Sequence, residues 1–171
     1  MEQWDLYDRR RVPTDEILER GQPIPEGRYH MVVHVVVFDG AGRMLIQQRQ
    51  PFKEGWPNLW DVTVGGSALA GERSTQAAER EVLEEIGLPL DLAEECPALT
   101  ISYDSGFDDV YLITREVDLA ALRLHPEEVQ AVRWAAEEEV LRMLEEGTFI
   151  PYHRSYLELL FRLRTARGVL Q

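Results

Sequence analysis

Hydrophobic residues in this chain occur mainly in short β-branched runs separated by turn-forming residues. The run at 31–39 (MVVHVVVFD) ends in an Asp-Gly turn signal, and RMLIQQR at 43–49 follows it, so the two segments predict a β-hairpin. Further strands are predicted at 60–66 and in the later segments ALTISYD, DVYLITREV and VQAVRWA. Residues 1–29 mix turn formers with short apolar pieces, which predicts an N-terminal arm or hairpin.

Helical spacing of apolar residues replaces the strand pattern in three segments. The first predicted helix runs from about Thr75 to Ile86, with Ser74 or Thr75 as its N-cap and Gly87 as its stop. A loop of about eight residues precedes it, after a strand ending at Gly65. AEEEVLRMLEEG and RSYLELLFRLRTA predict two further helices. Because strands and helices are interleaved and neighbouring strands form hairpins, the pattern predicts an α/β fold with a mixed sheet covered by helices on both faces.

The first predicted helix carries four glutamates in the stretch EREVLEEIG. At about 100° per residue, Glu81, Glu84 and Glu85 share one face within a turn, where like charges repel. Glu84 and Glu85 also lie at the helix C-terminus, where the helix dipole favours cations. One interpretation is a solvated acidic face relieved by Arg80. The other is a divalent cation site, for which carboxylates without clustered Cys or His favour Mg²⁺, or Mn²⁺ as the alternative, over Zn²⁺.

Size and charge narrow the function classes. The 171 residues fit one domain, and we expect residues 1–171 to form it, with a core over about 30–165. A formal net charge of -13 argues against binding a nucleic-acid polymer or an anionic membrane surface, since both need a basic face. The single cysteine excludes an intrachain disulfide. Without a signal-peptide pattern or a membrane-spanning apolar run, a cytoplasmic location is expected.

The acidic helix and the loop before it carry a complete family signature. The Nudix signature is a Gly, five residues, Glu, seven residues, Arg-Glu, an aliphatic, any residue, Glu-Glu, any residue, Gly and an aliphatic. The fixed positions are filled in this chain by Gly66, Glu72, Arg80, Glu81, Val82, Glu84, Glu85, Gly87 and Leu88. A match at every fixed position is too specific to be a chance occurrence. The resemblance covers about residues 30–165 and implies an α/β/α sandwich.

The resemblance also implies an activity and a set of roles. It implies hydrolysis of a phosphoanhydride bond in a nucleoside diphosphate linked to another moiety, a small molecule, with Mg²⁺ as cofactor. The implied metal ligands are the side chains of Glu81, Glu84 and Glu85 and the backbone carbonyl of Gly65. Glu81 would also help to deprotonate water. Arg80 would orient the glutamates through charge-assisted hydrogen bonds, and Glu72 would support the site, as a metal ligand through water in one interpretation.

A second, more local resemblance points to the Nudix branch related to isopentenyl-diphosphate isomerase. It is carried by WDLYDRRR, MVVHVVVFDGAGRMLIQQR, GWPNLWDVTVGG and IPYH. That isomerase uses a cysteine and a metal-binding histidine, which would fall at about Gly65 and Ser67 here. Because neither side chain is present and the signature is intact, a hydrolase is favoured over an isomerase. A non-catalytic nucleotide-binding module is the third hypothesis, although such modules commonly lose the signature glutamates.

Several residues outside the signature are candidates with ordinary alternatives. Asp109 aligns approximately with an acidic residue of the isomerase, but it would equally start a strand. Glu128, or its neighbour Glu127, resembles the fourth acidic residue of many Nudix hydrolases, but a surface glutamate before a strand would look the same. The substrate-binding candidates are Arg49, Lys53 and Gly66, and any surface cation would resemble the first two. The N-terminal arm is a candidate element for a homodimer.

Overall fold

The computed structural model describes residues 2–165 and 168. Nine strands and three helices follow one another in the described chain, together with a short 3₁₀ turn at Leu119–Ala121. The strands are β1 Gln3–Tyr7, β2 Pro13–Glu19, β3 His30–Phe38, β4 Met44–Arg49, β5 Trp60–Asp61, β6 Val64–Ser67, β7 Leu99–Tyr103, β8 Gly106–Thr114 and β9 Val129–Ala135. The helices are α1 Ser74–Ile86, α2 Glu137–Glu145 and α3 Arg154–Leu163.

Seven of the strands form one mixed sheet, and β1 and β2 pair separately as an antiparallel hairpin. The central order is β5-β4-β3-β8-β7, with β6 paired to β3 and β9 paired to β4. The β3–β8 pairing is parallel over nine residue pairs, whereas the other pairings in the sheet are antiparallel. The predicted mixed sheet is therefore confirmed.

Helices cover both faces of this sheet. Alternate residues of β3 point to opposite faces, as a strand requires. Val33, Val35 and Val37 pack in a cluster with the apolar residues of α1, whereas Val36 and Phe38 pack in a second cluster with residues of α2 and α3. Burial of apolar surface on each face stabilises the sandwich, and it confirms the predicted α/β class. Among the described residues, no helix has both the length and the apolar character needed to cross a bilayer.

The strand predicted at 60–66 is interrupted in the structure. Residues 62 and 63 separate β5, which pairs with β4, from β6, which pairs with β3. Buried Thr63 accounts for the interruption because its hydroxyl accepts from the Val37 N–H at 2.8 Å and donates to the Leu45 carbonyl at 2.5 Å. This side chain fills the place of a ladder bond where β3 and β4 diverge. The predicted β3–β4 hairpin is accordingly short, with Phe38 paired to Met44 and the Asp39 N–H donating to the Arg43 carbonyl at 3.0 Å.

The start of α1 also differs from the prediction in detail. The helix begins at Ser74 with Arg73 as its N-cap, and the Arg73 N–H donates to the side-chain oxygen of Gln76 at 2.9 Å. Ser74 does not cap the helix, because its hydroxyl hydrogen-bonds the Tyr111 hydroxyl. The loop between β6 and α1 is six residues long, since β6 extends to Ser67. The predicted helix end is confirmed, with Gly87 in the left-handed conformation at φ 69°.

Candidate active site

Helix α1 carries the signature glutamates to one cavity. Its small and branched apolar residues are buried against the sheet, which turns the glutamates towards the edge where β4 and β6 end. At the C-terminus of α1 the carbonyls of Glu85 and Ile86 accept from the backbone N–H groups of His125 and Arg123, at 2.8 and 3.0 Å. These bonds satisfy two of the carbonyls that a helix end leaves free, and they bring the segment before β9 to the same place.

The cavity has a volume of about 450 Å³ and a strongly charged lining. Its acidic residues are Glu2, Glu81, Glu84, Glu85 and Glu128, and its basic residues are Arg20, Arg49, Lys53 and Arg80. Gly65, Gly66, Ser67 and His125 complete it. Most residues predicted for the site therefore lie together, with carboxylates beside cations. Lys53 pairs with Glu128 at 2.5 Å, and the Arg49 Nε donates to the Gly55 carbonyl at 3.0 Å.

Arg80 connects the signature residues to one another. Its guanidinium forms a two-pronged pair with Glu72, at 2.7 Å from Nε and 2.9 Å from Nη2. Nη1 lies 3.0 Å from Glu81 and 3.1 Å from Glu84, and Nη2 also donates to the Ser67 carbonyl at 3.0 Å. The hydrogen bond to Glu72 is the main reason that the pKa of Arg80 is raised. Glu72 lies outside the cavity lining, so it contacts the site through Arg80.

Glu85 is the most deeply placed carboxyl of the site, with only 7% of its surface exposed. The Gln47 side-chain N–H donates to it at 2.8 Å. Burial is the main reason that the pKa of Glu85 is raised to about 8. The negative charge of Glu81 raises it further, whereas the hydrogen bond from Gln47 lowers it. The side-chain oxygen of Gln47 is buried without a hydrogen-bond partner. Burial also raises the pKa of Glu81, opposed by Arg80.

Two glycines leave the space that this carboxylate cluster occupies. A Cβ at Gly66 would overlap the Glu81 carboxyl, and a Cβ at Gly65 would lie 2.7 Å from the His34 ring. Neither glycine has a positive φ, so close approach rather than backbone conformation accounts for glycine at both positions. Any side chain at Gly65, a cysteine included, would require His34 to move.

The donor set fits a hard divalent cation in its chemistry. Glu81, Glu84 and Glu85 supply carboxylate oxygens to a single cavity, and the backbone at Gly65 and Gly66 is free of side chains. The described residues do not, however, present three carboxylate or imidazole groups already assembled around one point. Arg80 contacts one oxygen each of Glu81 and Glu84, and Gln47 contacts one oxygen of Glu85, which leaves the second oxygen of each carboxylate for a cation.

A second cavity of about 430 Å³ adjoins the first at Arg49, Gly65, Gly66 and Ser67. Its wall includes His34, Asp61 and Tyr152, which belong to a partly buried polar network: His34 Nδ1 lies 2.9 Å from Asp108, and Tyr152 donates to Asp61 at 2.8 Å. Burial is the largest single influence and lowers the pKa of His34, but the hydrogen bond to Asp108 and the negative charges of Asp108, Asp61 and Glu85 together outweigh it, so the pKa of His34 is raised.

Asp109 lies away from the cavity. It is buried in β8, where it pairs with Arg11 at 2.7 Å and accepts from the Thr100 hydroxyl at 2.7 Å. The structure thus gives Asp109 a role in attaching the N-terminal hairpin and does not bring it to the glutamates. Glu127 is also absent from the cavity lining, whereas its neighbour Glu128 is part of it.

Four residues near the glutamates were missed by sequence reasoning: Glu2, Arg20, Gln47 and His125. Gln47 did carry a signal, because it is a polar residue inside an apolar strand and is 2% exposed. The other three lie in segments outside the signature, and no local pattern marks them.

Known proteins resemble this chain in sequence over nearly its whole length. A sequence model of the NUDIX domain matches residues 28–160. An uncharacterized Nudix hydrolase of Listeria innocua is 45% identical, and the alignment covers 99% of each chain. An isopentenyl-diphosphate Delta-isomerase of Streptomyces coelicolor is 32% identical over 86% of this chain and 76% of the isomerase.

Solved structures resemble it in fold. A crystal structure of a Deinococcus radiodurans protein matches with a TM-score of 0.72 at 23% identity, covering 94% of this chain and 98% of that one. A bifunctional NMN adenylyltransferase/ADP ribose pyrophosphatase from Francisella tularensis, complexed with AMP and a Mn ion, matches with a TM-score of 0.62 at 18% identity. That match covers 78% of this chain and 41% of the other. At such identities the likeness concerns the fold.

Proposed function

The chain belongs to the Nudix family and is a Nudix hydrolase, and on this premise we propose that it cleaves a phosphoanhydride bond in a nucleoside diphosphate linked to another moiety, with Mg²⁺ or Mn²⁺ as cofactor. The observation that carries this proposal is the convergence of Glu81, Glu84 and Glu85 on one cavity that also contains Arg49 and Lys53. Carboxylates attract the cation, and basic side chains bind phosphate oxygens. A diphosphate needs both in a protein with a net charge of -13.

Each signature residue has a part in this proposal. Glu81, Glu84, Glu85 and the Gly65 carbonyl would hold the cation. When bound, the cation polarises phosphorus and lowers the pKa of a bound water. Burial raises the pKa of Glu81, which makes its ionised form a better base for removing a proton from water near neutral pH. Arg80 holds Glu81 and Glu84 in place and is itself held by Glu72.

The hydrolase proposal is favoured over isomerisation by the packing at Gly65. An isomerase needs titratable groups on both sides of an allylic carbon unit. A Cβ at Gly65 would lie 2.7 Å from His34, and the single cysteine of the chain, Cys96, is exposed in the segment between α1 and β7. The likeness to a Streptomyces isomerase supports a common origin, whereas the intact set of glutamates supports water activation.

The experiment is a panel of nucleoside diphosphate sugars, dinucleoside polyphosphates, coenzymes and isoprenoid diphosphates incubated with the protein and Mg²⁺, with products followed by ³¹P NMR. We expect cleavage of at least one phosphoanhydride, lost on chelation and restored by Mn²⁺. Glu84→Gln and Glu85→Gln should each lower the rate by several orders of magnitude. Glu145→Gln, an exposed helix-terminal glutamate outside the cavity, serves as the matched control and should retain full activity. Full activity in either signature variant would refute the proposed site.

A further inference from the structure

The N-terminal hairpin reaches the cavity although it lies outside the family domain. The NUDIX domain match begins at residue 28, whereas β1 and β2 end before residue 20. Glu2 and Arg20, at the open ends of the two strands, nevertheless line the cavity with the signature glutamates. The family signature therefore says nothing about these two residues, and any role they have is a property of this hairpin.

The hairpin is fixed to the rest of the chain at several separate points. At its turn, Arg11 pairs with buried Asp109 at 2.7 Å and contacts the Thr100 hydroxyl at 3.1 Å. Along β1, Tyr7 exchanges two backbone hydrogen bonds with Tyr29, and the Trp4 ring stacks on His30 at 4.8 Å.

The loop before α1 is also bound to the hairpin. The Gly71 N–H donates to the Asp5 carboxylate at 2.7 Å, and the Ala70 N–H donates to the Gln3 carbonyl at 2.7 Å. This is the loop that leads from the cavity glycines to the signature helix. The end of the hairpin that carries Arg20 is therefore held at a fixed position relative to the glutamates.

Arg20 has a charge and setting suited to a phosphate group. Its guanidinium pairs with Glu2 at 2.8 Å, and both side chains are about half exposed, so the pair is weak and open to exchange. The hydrogen bond to Glu2 raises the pKa of Arg20, with further contributions from the charges of Glu128 and Glu81 across the cavity. The other two substrate-side cations have partners on their own side, since Lys53 pairs with Glu128 and Arg49 with the Gly55 carbonyl.

We propose that Arg20 is a substrate-binding residue, which exchanges its partner Glu2 for the phosphoryl oxygens of the diphosphate on the hairpin side of the cavity. This inference rests on the proposed function for the identity of the ligand. The guanidinium fork is matched to two phosphate oxygens, so the hairpin supplies a directed contact as well as charge. Glu2 competes with the substrate for the same guanidinium.

The test uses methylenediphosphonate, a diphosphate analogue that cannot be hydrolysed at the bridge, with Mg²⁺ in isothermal titration calorimetry. Arg20→Ala should weaken binding about tenfold or more, and Arg20→Lys should weaken it less. Arg10→Ala is the matched control, because Arg10 is an exposed hairpin arginine paired with Asp8 outside the cavity, and binding should be unchanged. For any compound that is cleaved, Arg20→Ala should raise KM by a similar factor while kcat stays within about threefold.

A double-mutant cycle separates a contact from a general effect of charge. Glu2→Gln should tighten binding in the native background but have no effect in the Arg20→Ala background, since the competition is for Arg20. Equal tightening in both backgrounds would overturn the inference, as would unchanged binding in Arg20→Ala or the lack of any binding by the native protein.

If Arg20→Ala loses binding while no phosphoanhydride is cleaved, the inference stands and the proposed reaction fails. If the native protein cleaves and Arg20→Ala matches it in KM, the reaction stands and the inference fails.

Discussion

Replacing Glu85 with Gln should make the metal-free protein more stable while removing activity. Glu85 is 7% exposed, and burial raises its pKa to about 8 from an ordinary value of 4.5. The folded protein near neutral pH must therefore either bind a proton there or keep a charge in a poorly solvated place. A glutamine has nearly the same shape and can still accept the Gln47 hydrogen bond, but it never ionises.

The size of the effect follows from the two pKa values. An acid whose pKa is raised by folding destabilises the folded state as pH rises, starting near 4.5 and ending near 8. Each pH unit in that window costs about 1.4 kcal/mol, so the penalty at pH 7 is about 3 kcal/mol and at pH 4 it is close to zero. For a domain of this length, about 3 kcal/mol corresponds to a Tm higher by roughly 6 to 12 °C in Glu85→Gln.

Thermal and urea unfolding of the two proteins between pH 4 and pH 8.5, with a chelator present, measures this difference. Glu84→Gln is the internal control, because Glu84 is on the same helix but its side chain is 57% exposed. Its removal should change stability by only a few tenths of a kcal/mol. Adding Mg²⁺ should stabilise the native protein more than either variant, since a ligand that binds the folded state raises its stability.

A Glu85→Gln protein whose stability advantage over the native protein does not change with pH would contradict a raised pKa at Glu85. A variant that is less stable than the native protein at pH 7 without metal would contradict it equally. Either result would mean that Glu85 is solvated or paired in solution, and the buried site described above would be wrong.

Three further substitutions test other parts of the account. Gly66→Ala should lower kcat about 100-fold or more with little change in Tm, because the added methyl displaces the outer part of the Glu81 side chain. Steady-state kinetics and a melting curve would measure the two effects. Asp109→Asn should lower the free energy of unfolding by about 2 kcal/mol, because it breaks the pair with Arg11, and it should leave kcat within about threefold. A loss of kcat as large as that of Glu85→Gln would restore Asp109 as a catalytic candidate. His34→Gln should lower the free energy of unfolding by about 2 kcal/mol below pH 6.5, and by progressively less as pH rises through the raised pKa of His34. Urea titrations at several pH values would detect this change, and a difference independent of pH would contradict the His34–Asp108 pair.

The central site was predictable because its geometry is local. Glu81, Glu84 and Glu85 lie within one turn of one helix, so helical periodicity alone brings them to the same face. The buried stripe of α1 then determines which way that face points. Arg80 belongs to the same helix, and its contacts with Glu81 and Glu84 follow from the same spacing.

The remaining features depend on contacts between distant parts of the chain. Arg20 reaches the cavity because the hairpin is docked, and one of the docking contacts is a pair between Arg11 and Asp109, 98 residues apart. Asp109 was a candidate because it aligns approximately with an acidic residue of the isomerase, and the sequence did not reveal that its partner is Arg11. The interruption of the strand at 62–63 likewise depends on hydrogen bonds from Thr63 to two other strands.

The central claim is that the cavity activates water against a phosphoanhydride and does not move protons on carbon. The most direct measurement is one reaction series in D₂O with Mg²⁺, in which the diphosphate panel and isopentenyl diphosphate are followed together by ³¹P and ¹H NMR. We expect phosphoanhydride cleavage in at least one nucleoside diphosphate derivative, with loss of that cleavage in Glu85→Gln, and no deuterium in isopentenyl diphosphate. Deuterium incorporation at a catalytic rate, without phosphate release from any compound tested, would contradict the account.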